Sequence, residues 1–227
     1  MIQIEKIIRI IFTTLFSFFI GSCAVAQTTV SDSYPDDWWK PVPESQIASW
    51  EIPPQAANRT KGEVVLSKRN ELGQFSNLSA TAFVFEGLSY ASVEGLWQSM
   101  KYPESTEDER AKDKSLTWVY SREQVMQLSG FEAKQAGDLA NENMKKMGIK
   151  WITYKGKKFE YNGIGQNHHY EIIYAACVQK IEQNEKIKKL LISTASLKLM
   201  ADHKQRLDTL PSYKYQEIYS KIRNELK

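Results

Sequence analysis

Gly73-Gln74-Phe75-Ser76-Asn77-Leu78-Ser79, then Phe83-Val84-Phe85-Glu86-Gly87-Leu88-Ser89-Tyr90, then Ser92-Val93-Glu94-Gly95-Leu96-Trp97-Gln98-Ser99-Met100-Lys101, is the stretch on which the fold turns. Phe83-Val84-Phe85 and Leu88-Ser89-Tyr90 are short β-prone runs on either side of Glu86-Gly87, which reads as a β-hairpin. Ser92 is suited to cap a helix running from Val93 to about Tyr102, where Pro103 stops it. A hairpin followed directly by a capped helix predicts an α+β domain.

The sequence downstream extends that reading toward helix. Thr106 is placed to cap a second helix whose first turn carries Glu107, Asp108 and Glu109, a charge placement the helix dipole favours. Ser121–Leu128 reads as another short helix, ended by Gly130, and Phe131–Met147 as a broken one with Gly137 inside it and Gly148 after it. Trp151–Tyr161 is β-like about a turn at Lys155-Gly156-Lys157. His168–Glu182 carries Ile172, Ile173, Ala176, Cys177 and Ile181 at helical spacing, and Lys186–Ile192 continues in helix. Ser196–Met200 alternates weakly. Pro211 suits the first position of a final helix that puts Tyr215, Ile218, Tyr219 and Ile222 on one face. Upstream, Glu63–Ser67 is a plausible strand. No internal repeat is visible. The expected architecture is a mostly helical single domain with a small sheet.

Of the 227 residues, 42% are hydrophobic and 11% aromatic, enough for one core and too many for wholesale disorder. The net charge of +3, from 30 basic and 27 acidic residues, does not by itself imply nucleic-acid binding. Five of the seven prolines fall between Pro35 and Pro54, with Trp38, Trp39 and Trp50 among them. Residues 27–60 therefore read as a Pro-rich tether whose tryptophans dock on the body beginning at residue 61.

Residues 1–26 read as a secretory signal: Lys6 and Arg9, an apolar run Ile10–Ile20, then small residues. The run is shorter than the roughly 20 residues a bilayer-spanning helix needs. Two cleavage patterns overlap. Ile20-Gly21-Ser22-Cys23 resembles a lipobox, with Cys23 as the lipidated residue, and Ala24-Val25-Ala26 is an A-x-A site that would release Gln27. The lipobox is preferred because Cys is rare here and stands where that motif needs it. The expected location is the cell envelope, lipid-anchored through Cys23, or else the periplasm or exterior. The other cysteine, Cys177, lies in an apolar helical context and reads as a buried residue rather than a nucleophile.

In the helix after Ser92, the residues Glu94, Trp97, Gln98 and Lys101 lie at i, i+3, i+4 and i+7 and share a face. An acid, an aromatic plate, an amide and an amine point the same way. Spacing alone also fits a solvated face with Trp97 in the core. Leu96 and Met100 supply a second apolar stripe, so Trp97 is not needed as the main anchor.

Phe75-Ser76-Asn77, then a hairpin, then a helix with Glu94, Trp97, Gln98 and Lys101 resembles the NADAR (YbiA-like) pattern. Lys180-Ile181-Glu182-Gln183-Asn184, Leu190–Ala195 and Ile222-Arg223 resemble later segments of that family, in the same order, over residues 61–227. Two features depart from it. Gly95 stands where the family often has His, and the late W-G and G-x-N elements are replaced by Asp202-His203 and Leu210-Pro211. The resemblance implies a YbiA-like fold and a hydrolase that cleaves an N-glycosidic bond at a ribose, in ADP-ribose conjugates or ribosylamino-pyrimidine intermediates. Its substrate would be a small nucleotide-sugar or an ADP-ribosylated molecule, with nucleic acid only as modified substrate, and no cofactor or metal is called for. The alternative is a non-catalytic ADP-ribose-binding module of the envelope.

Such a bond breaks through an oxocarbenium-like state, which a carboxylate stabilises or attacks through an activated water. The resemblance gives that role to Glu94. Lys101 would act as an amine nucleophile if neutral or as a phosphate ligand if charged. Asn77 would orient ribose hydroxyls and Ser76 would belong to the same substrate-binding set, Trp97 would stack on the base or line the pocket, and Gln98 would position the substrate or hold Glu94. Lys180 would contact phosphate, and Asp202 stands near the family's late substrate segment.

Other signals carry less. Gly163-Ile164-Gly165 lacks the strand and helix a dinucleotide fingerprint needs. His168 and His169 diverge by about 100° on a helix, so only one can join Glu171 in a metal site. Lys155, Lys157 and Lys158 read as a basic turn in solvent.

Overall fold

The structure, a computed structural model, describes residues 34–226. The segment expected to be a secretory signal, with Cys23 and the Ala24-Val25-Ala26 pattern, lies outside the described residues. The elements run β1 (Glu63–Val65), β2 (Phe83–Phe85), β3 (Leu88–Tyr90), α1 (Val93–Ser99), α2 (Glu109–Lys112), α3 (Arg122–Met126), α4 (Gly130–Lys146), β4 (Ile152–Tyr154), β5 (Lys157–Phe159), α5 (Gln166–Glu182), α6 (Glu185–Ser193), β6 (Lys198–Met200) and α7 (Tyr215–Glu225). Helix dominates, and the class is α+β.

Among the described residues the β-structure is three separate two-stranded ribbons rather than one small sheet. β2–β3 and β4–β5 are the two expected hairpins. The residues at their turns, Glu86-Gly87 and Lys155-Gly156, all have positive φ, the geometry that matches the twist of a tight hairpin. The third ribbon pairs β1 with β6 in parallel, Val64 opposite Leu199. These strands are more than a hundred residues apart, a pairing that no local pattern encodes.

Local chemistry explains most helix ends. Ser92 Oγ accepts the Gly95 amide at 2.8 Å and caps α1. Ser121 and Gln124 form a reciprocal capping box on α3. The second helix is capped by Asp108, which accepts from Arg110, rather than by Thr106. The longer reading of α1 is also corrected: it ends at Ser99, and the Tyr102 hydroxyl donates to Ala136 O at 2.7 Å. α4 is one unbroken 17-residue helix in spite of Gly137. Pro211 opens a 3-10 turn, Pro211–Tyr213, ahead of α7 rather than α7 itself.

The core gathers α5, α7, α1 and the β1–β6 pair around Phe75, Leu96, Ile173, Cys177, Ile218 and Tyr219. Cys177 is fully enclosed, and burial pushes its thiol up to about 11, as expected for a packing residue. The Pro-rich stretch is held by its tryptophans. Trp38 and Trp39 are buried, and their indole N–H groups donate to Glu71 Oε1 and Glu63 O, both at 2.8 Å. Burying one such ring removes roughly 150–250 Å² from water, which outweighs the ~1–2 kcal/mol of ordering one backbone residue. Trp50 stays half exposed. No described helix is long and apolar enough to cross a membrane.

Candidate functional site

The turn Ser76-Asn77 and helix α1 are welded together by backbone. The Glu94 amide, in the first turn of α1, donates to Asn77 O at 2.9 Å. Ser92 Oγ, while capping the helix, donates to Leu128 O at 2.8 Å. Gly95 is the residue that lets the end of α3 approach. A Cβ there would stand 2.6 Å from Leu128 O, 2.9 Å from Val125 O and 3.1 Å from Met126 O. The position where the resembled family often has His has no room for any side chain here. Gly95→Ala is expected to lower stability by about 1–3 kcal/mol through overpacking against backbone, read as a shift in urea midpoint. An alanine variant as stable as wild type would show that the α1–α3 contact opens freely.

The shared face of α1 is directed inward, not into solvent. Trp97, Gln98 and Lys101 are each about 95% buried. Gln98 Nε2 donates to Glu94 Oε1 at 2.6 Å. Helix α4 crosses this face, and Gly137 makes the crossing possible: a Cβ there would lie 1.8 Å from Gln98 Oε1. The glycine that seemed to break α4 is the one that admits the amide holding Glu94.

Lys101 Nζ stands 4.8 Å from the centre of the Trp97 ring, a cation–π distance. No ion pair or hydrogen bond of its ammonium occurs among the described residues. Burial pushes that ammonium down to about 8, against the opposing pull of Glu94 and Asp138. Glu94 keeps some exposure along its side chain, but its carboxyl is closely surrounded by protein. Burial pushes the carboxyl above the usual range, opposed by the Gln98 hydrogen bond and by the Lys101 charge. Acid and amine are thus brought toward each other in proton affinity, the condition for moving a proton near neutral pH.

Three aromatic residues complete the surroundings, and the sequence placed none of them beside Trp97; it weighed His169 only with Glu171 for a metal. His169 (α5) lies 4.2 Å from the Trp97 ring, Tyr161 4.8 Å and Tyr213 6.1 Å, by ring centres. His169 is fully buried, and neither ring nitrogen has a hydrogen-bond partner among the described residues. Burial, then the Lys101 charge, push its imidazole down to about 3. Its unfolded value is near 6.5, so the unfolded chain takes up a proton that the folded one refuses. Stability therefore falls as pH drops from about 6.5 toward about 3. His169→Phe is expected to flatten that fall in urea titrations at stepped pH, and an unchanged slope would place the acid lability elsewhere.

Ser76, Lys180 and Asp202 are positioned differently from the sequence expectation of substrate contact. Ser76 is a turn builder: its Oγ accepts the Leu78 amide at 3.2 Å. Lys180 is fully buried and spends its ammonium on Gln74 O at 2.6 Å, Ser76 O at 3.0 Å and Ser79 Oγ at 2.9 Å. With three donors on three protein acceptors, it braces the Ser76-Asn77 turn rather than reaching a phosphate. Asp202 belongs to the junction with the Pro-rich stretch. It is buried, ion-paired with Lys68, and accepts from Tyr215 OH at 2.8 Å, while its backbone oxygen takes the Ile52 amide. Burial pushes its carboxyl up, but hydrogen bonds from His203, Lys68 and Tyr215 outweigh this and hold it at about 2.

The structure brings Glu94, Trp97, Gln98 and Lys101 together, adjoining Asn77, whose Oδ1 is buried without a hydrogen-bond partner among the described residues. A cleft of about 350 Å³ beside Tyr161 is rimmed by Asn141, Lys145, Lys150 and Asn162. A second cleft of about 400 Å³ is lined by Lys68, Ser76, Ser79 and Gly130.

No family model matches the sequence, and no curated protein matches it. Among solved structures, the NMR structure of the Escherichia coli protein YbiA shows a distant likeness, with 17% identity and a TM-score of 0.45, over 70% of this chain and 81% of that one.

Proposed function

We propose that this chain is a hydrolase that cleaves an N-glycosidic bond at a ribose, in ADP-ribose conjugates such as ADP-ribosylated guanosine or in ribosylamino-pyrimidine intermediates. The observation that supports it is the acid Glu94 on α1 and the buried amine Lys101 in the turn that follows the helix, with Gln98 fixing the acid and Trp97 beneath the amine. The motif resemblance supplies the bond class. In the direct route Glu94, ionised, takes a proton from water as its oxygen bonds to C1. The C1–N bond breaks with its electron pair going to nitrogen, which takes up the proton. In the second route the neutral Lys101 amine bonds to C1 as the C1–N bond breaks with its electron pair going to the nitrogen, which takes the proton the amine sheds; the C1–ring-oxygen bond then opens as the second amine proton passes to that oxygen. The ring-opened adduct is a Schiff base, which water then hydrolyses. With its ammonium at about 8, roughly a tenth of Lys101 is neutral at pH 7.

Purified protein offered ADP-ribosylated guanosine, ADP-ribosylated DNA and a ribosylamino-pyrimidine phosphate should release free ADP-ribose or ribose phosphate from at least one. No release from any of them would end this reading. A second reading, an ADP-ribose-binding module without turnover, draws on Asp202, which is locked against the Pro-rich stretch where the resembled family has late substrate-binding elements. Calorimetry showing ADP-ribose binding without release would select it. We also propose export and lipid anchoring through Cys23. A mass spectrum of the mature N-terminus should show acyl-Cys23; a chain beginning at Gln27 or Met1 would exclude the anchor.

A further inference from the structure

The positive charge of this chain is concentrated in one stretch that the proposed chemistry does not use. Residues 145–158 hold six lysines, Lys145, Lys146, Lys150, Lys155, Lys157 and Lys158, and no acid. Taking those six from the 30 basic residues leaves 24 against 27 acidic ones, so the net positive charge of the whole chain resides here. All six lysines are exposed. Lys155 pairs with Glu86 and Lys158 with Glu109. The other four make no ion pair or hydrogen bond among the described residues.

The fold sets the first part of this stretch beside an apolar loop tip. Lys145, at the end of α4, and Lys150, just ahead of β4, line the cleft of about 350 Å³ to which Tyr161 and Asn162 also belong. Two residues further along that loop, Ile164 is fully exposed, held out between Gly163 and Gly165. The acid nearest to it along the chain, Glu160, folds back against Gly163. Among the lysines, Met147, Ile149 and Trp151 are each only partly covered. A lone exposed aliphatic residue on a surface is ordinary. An isoleucine held out between glycines, beside cations that no acid answers, makes an amphipathic face with an apolar tip and a cationic collar.

The charge calls for an extended anionic partner, and two details favour a lipid surface over a nucleic acid. Buried Arg110 and exposed Lys158 both stand over the Trp151 ring, at 4.7 and 3.8 Å from its centre. A ring already occupied by cations is not offered to a base, as the platforms of single-strand binders are. Its indole N–H makes no hydrogen bond among the described residues, which suits the headgroup level where tryptophan edges settle. The second detail is that all six cations are lysines. Their point charges fit a diffuse negative surface and lack the guanidinium fork that matches single phosphates and base edges.

We infer that the face formed by residues 145–158 and the Ile164 loop rests on an anionic lipid bilayer, with Ile164 and the Trp151 edge entering the headgroup region and the lysines held at its negative surface. This contact requires neither N-ribosyl cleavage nor acylation of Cys23, so it stands or falls apart from both.

Co-sedimentation of the purified full chain would compare vesicles of phosphatidylglycerol and phosphatidylcholine in about equal parts with vesicles of phosphatidylcholine alone. Wild type should bind the anionic vesicles at least about a hundredfold more tightly. That preference should vanish at about 1 M salt, where the Debye length shrinks to about 3 Å. A lysine near an anionic bilayer strengthens binding about fivefold. Lys145→Gln, Lys146→Gln and Lys150→Gln together should therefore cost about a hundredfold on anionic vesicles and stay within about twofold on neutral ones. Ile164→Ser should weaken anionic-vesicle binding about fivefold through lost apolar burial. These four side chains are exposed, so the melting temperature should not change. Residues 1–33 are the same in every variant, and differences between variants report this face alone. The inference is overturned if wild type shows no preference for anionic vesicles, if the triple variant binds them as wild type does, or if Ile164→Ser changes nothing. It is also overturned if a duplex oligonucleotide at equal phosphate concentration strips the protein from the vesicles, which would make this face a nucleic-acid interface.

Discussion

Glu94→Gln is expected to lower turnover of an N-ribosyl substrate by about 10²–10⁴-fold, the usual contribution of a positioned acid–base group, with the fold intact. Glutamine has nearly the same shape and can keep the contact with Gln98, which holds Glu94 Oε1 at 2.6 Å. What it loses is the charge and the ability to take a proton. The sign of the stability change follows from the raised carboxyl. Above the unfolded value of 4.5 the folded state retains a proton that the unfolded state releases. Stability contributed by this group is present at low pH and is lost as pH rises through the raised value. A neutral glutamine removes that burden, so the variant should melt at or above the wild-type temperature near neutral pH. Steady-state kinetics with a parallel melting curve checks both parts. Wild-type turnover in the variant, or activity lost only together with the fold, would remove Glu94 from the chemistry.

Lys180→Met is expected to cost about 2–4 kcal/mol, through the acceptors it strands rather than through lost packing. Gln74 O, Ser76 O and Ser79 Oγ all converge on one ammonium, and methionine fills the same volume with nothing to donate. The loss is partly offset because the ammonium is itself expensive to enclose: burial pushes it down to about 8. Below about 8 both states are protonated and the folded state bears the full cost. From about 8 to 10.5 the unfolded chain still holds the proton that the folded one has released, so stability rises with pH. Lys101 shares that window. Wild type should therefore gain stability from pH 8 to 10.5, and Lys180→Met should gain less. Urea titrations read both effects. An unchanged midpoint at neutral pH would show that solvent satisfies the turn without the lysine. Because this turn carries Asn77, whose carbonyl anchors the Glu94 amide, the variant should also lose activity in proportion to its unfolding.

Much of the secondary structure is decided by chemistry within a few residues, and those parts were legible in the chain. Ser92 caps whatever helix follows it, Glu86-Gly87 turns a hairpin, and the i, i+3, i+4 spacing of Glu94, Trp97 and Gln98 puts them on one side of α1 in any environment, with Lys101 in the turn just past its end. Gly137 shows where local reading stops. By propensity it breaks α4, yet the helix is continuous, because its missing Cβ is the space Gln98 occupies.

By itself, then, the sequence determined the hairpin, the capped helix and that Glu94, Trp97 and Gln98 share its face, since each depends only on neighbours along the chain. Whether that face is solvated or enclosed was decided by α4 and α5 closing over it, and with that came the depressed amine, the raised acid and the role of Lys180 as a brace. The placing of His169, Tyr161 and Tyr213 against Trp97 was likewise tertiary. They lie 64 to 116 residues downstream of it, and only the packing of the whole core, not any spacing, brings their rings within 4.2 to 6.1 Å of the indole.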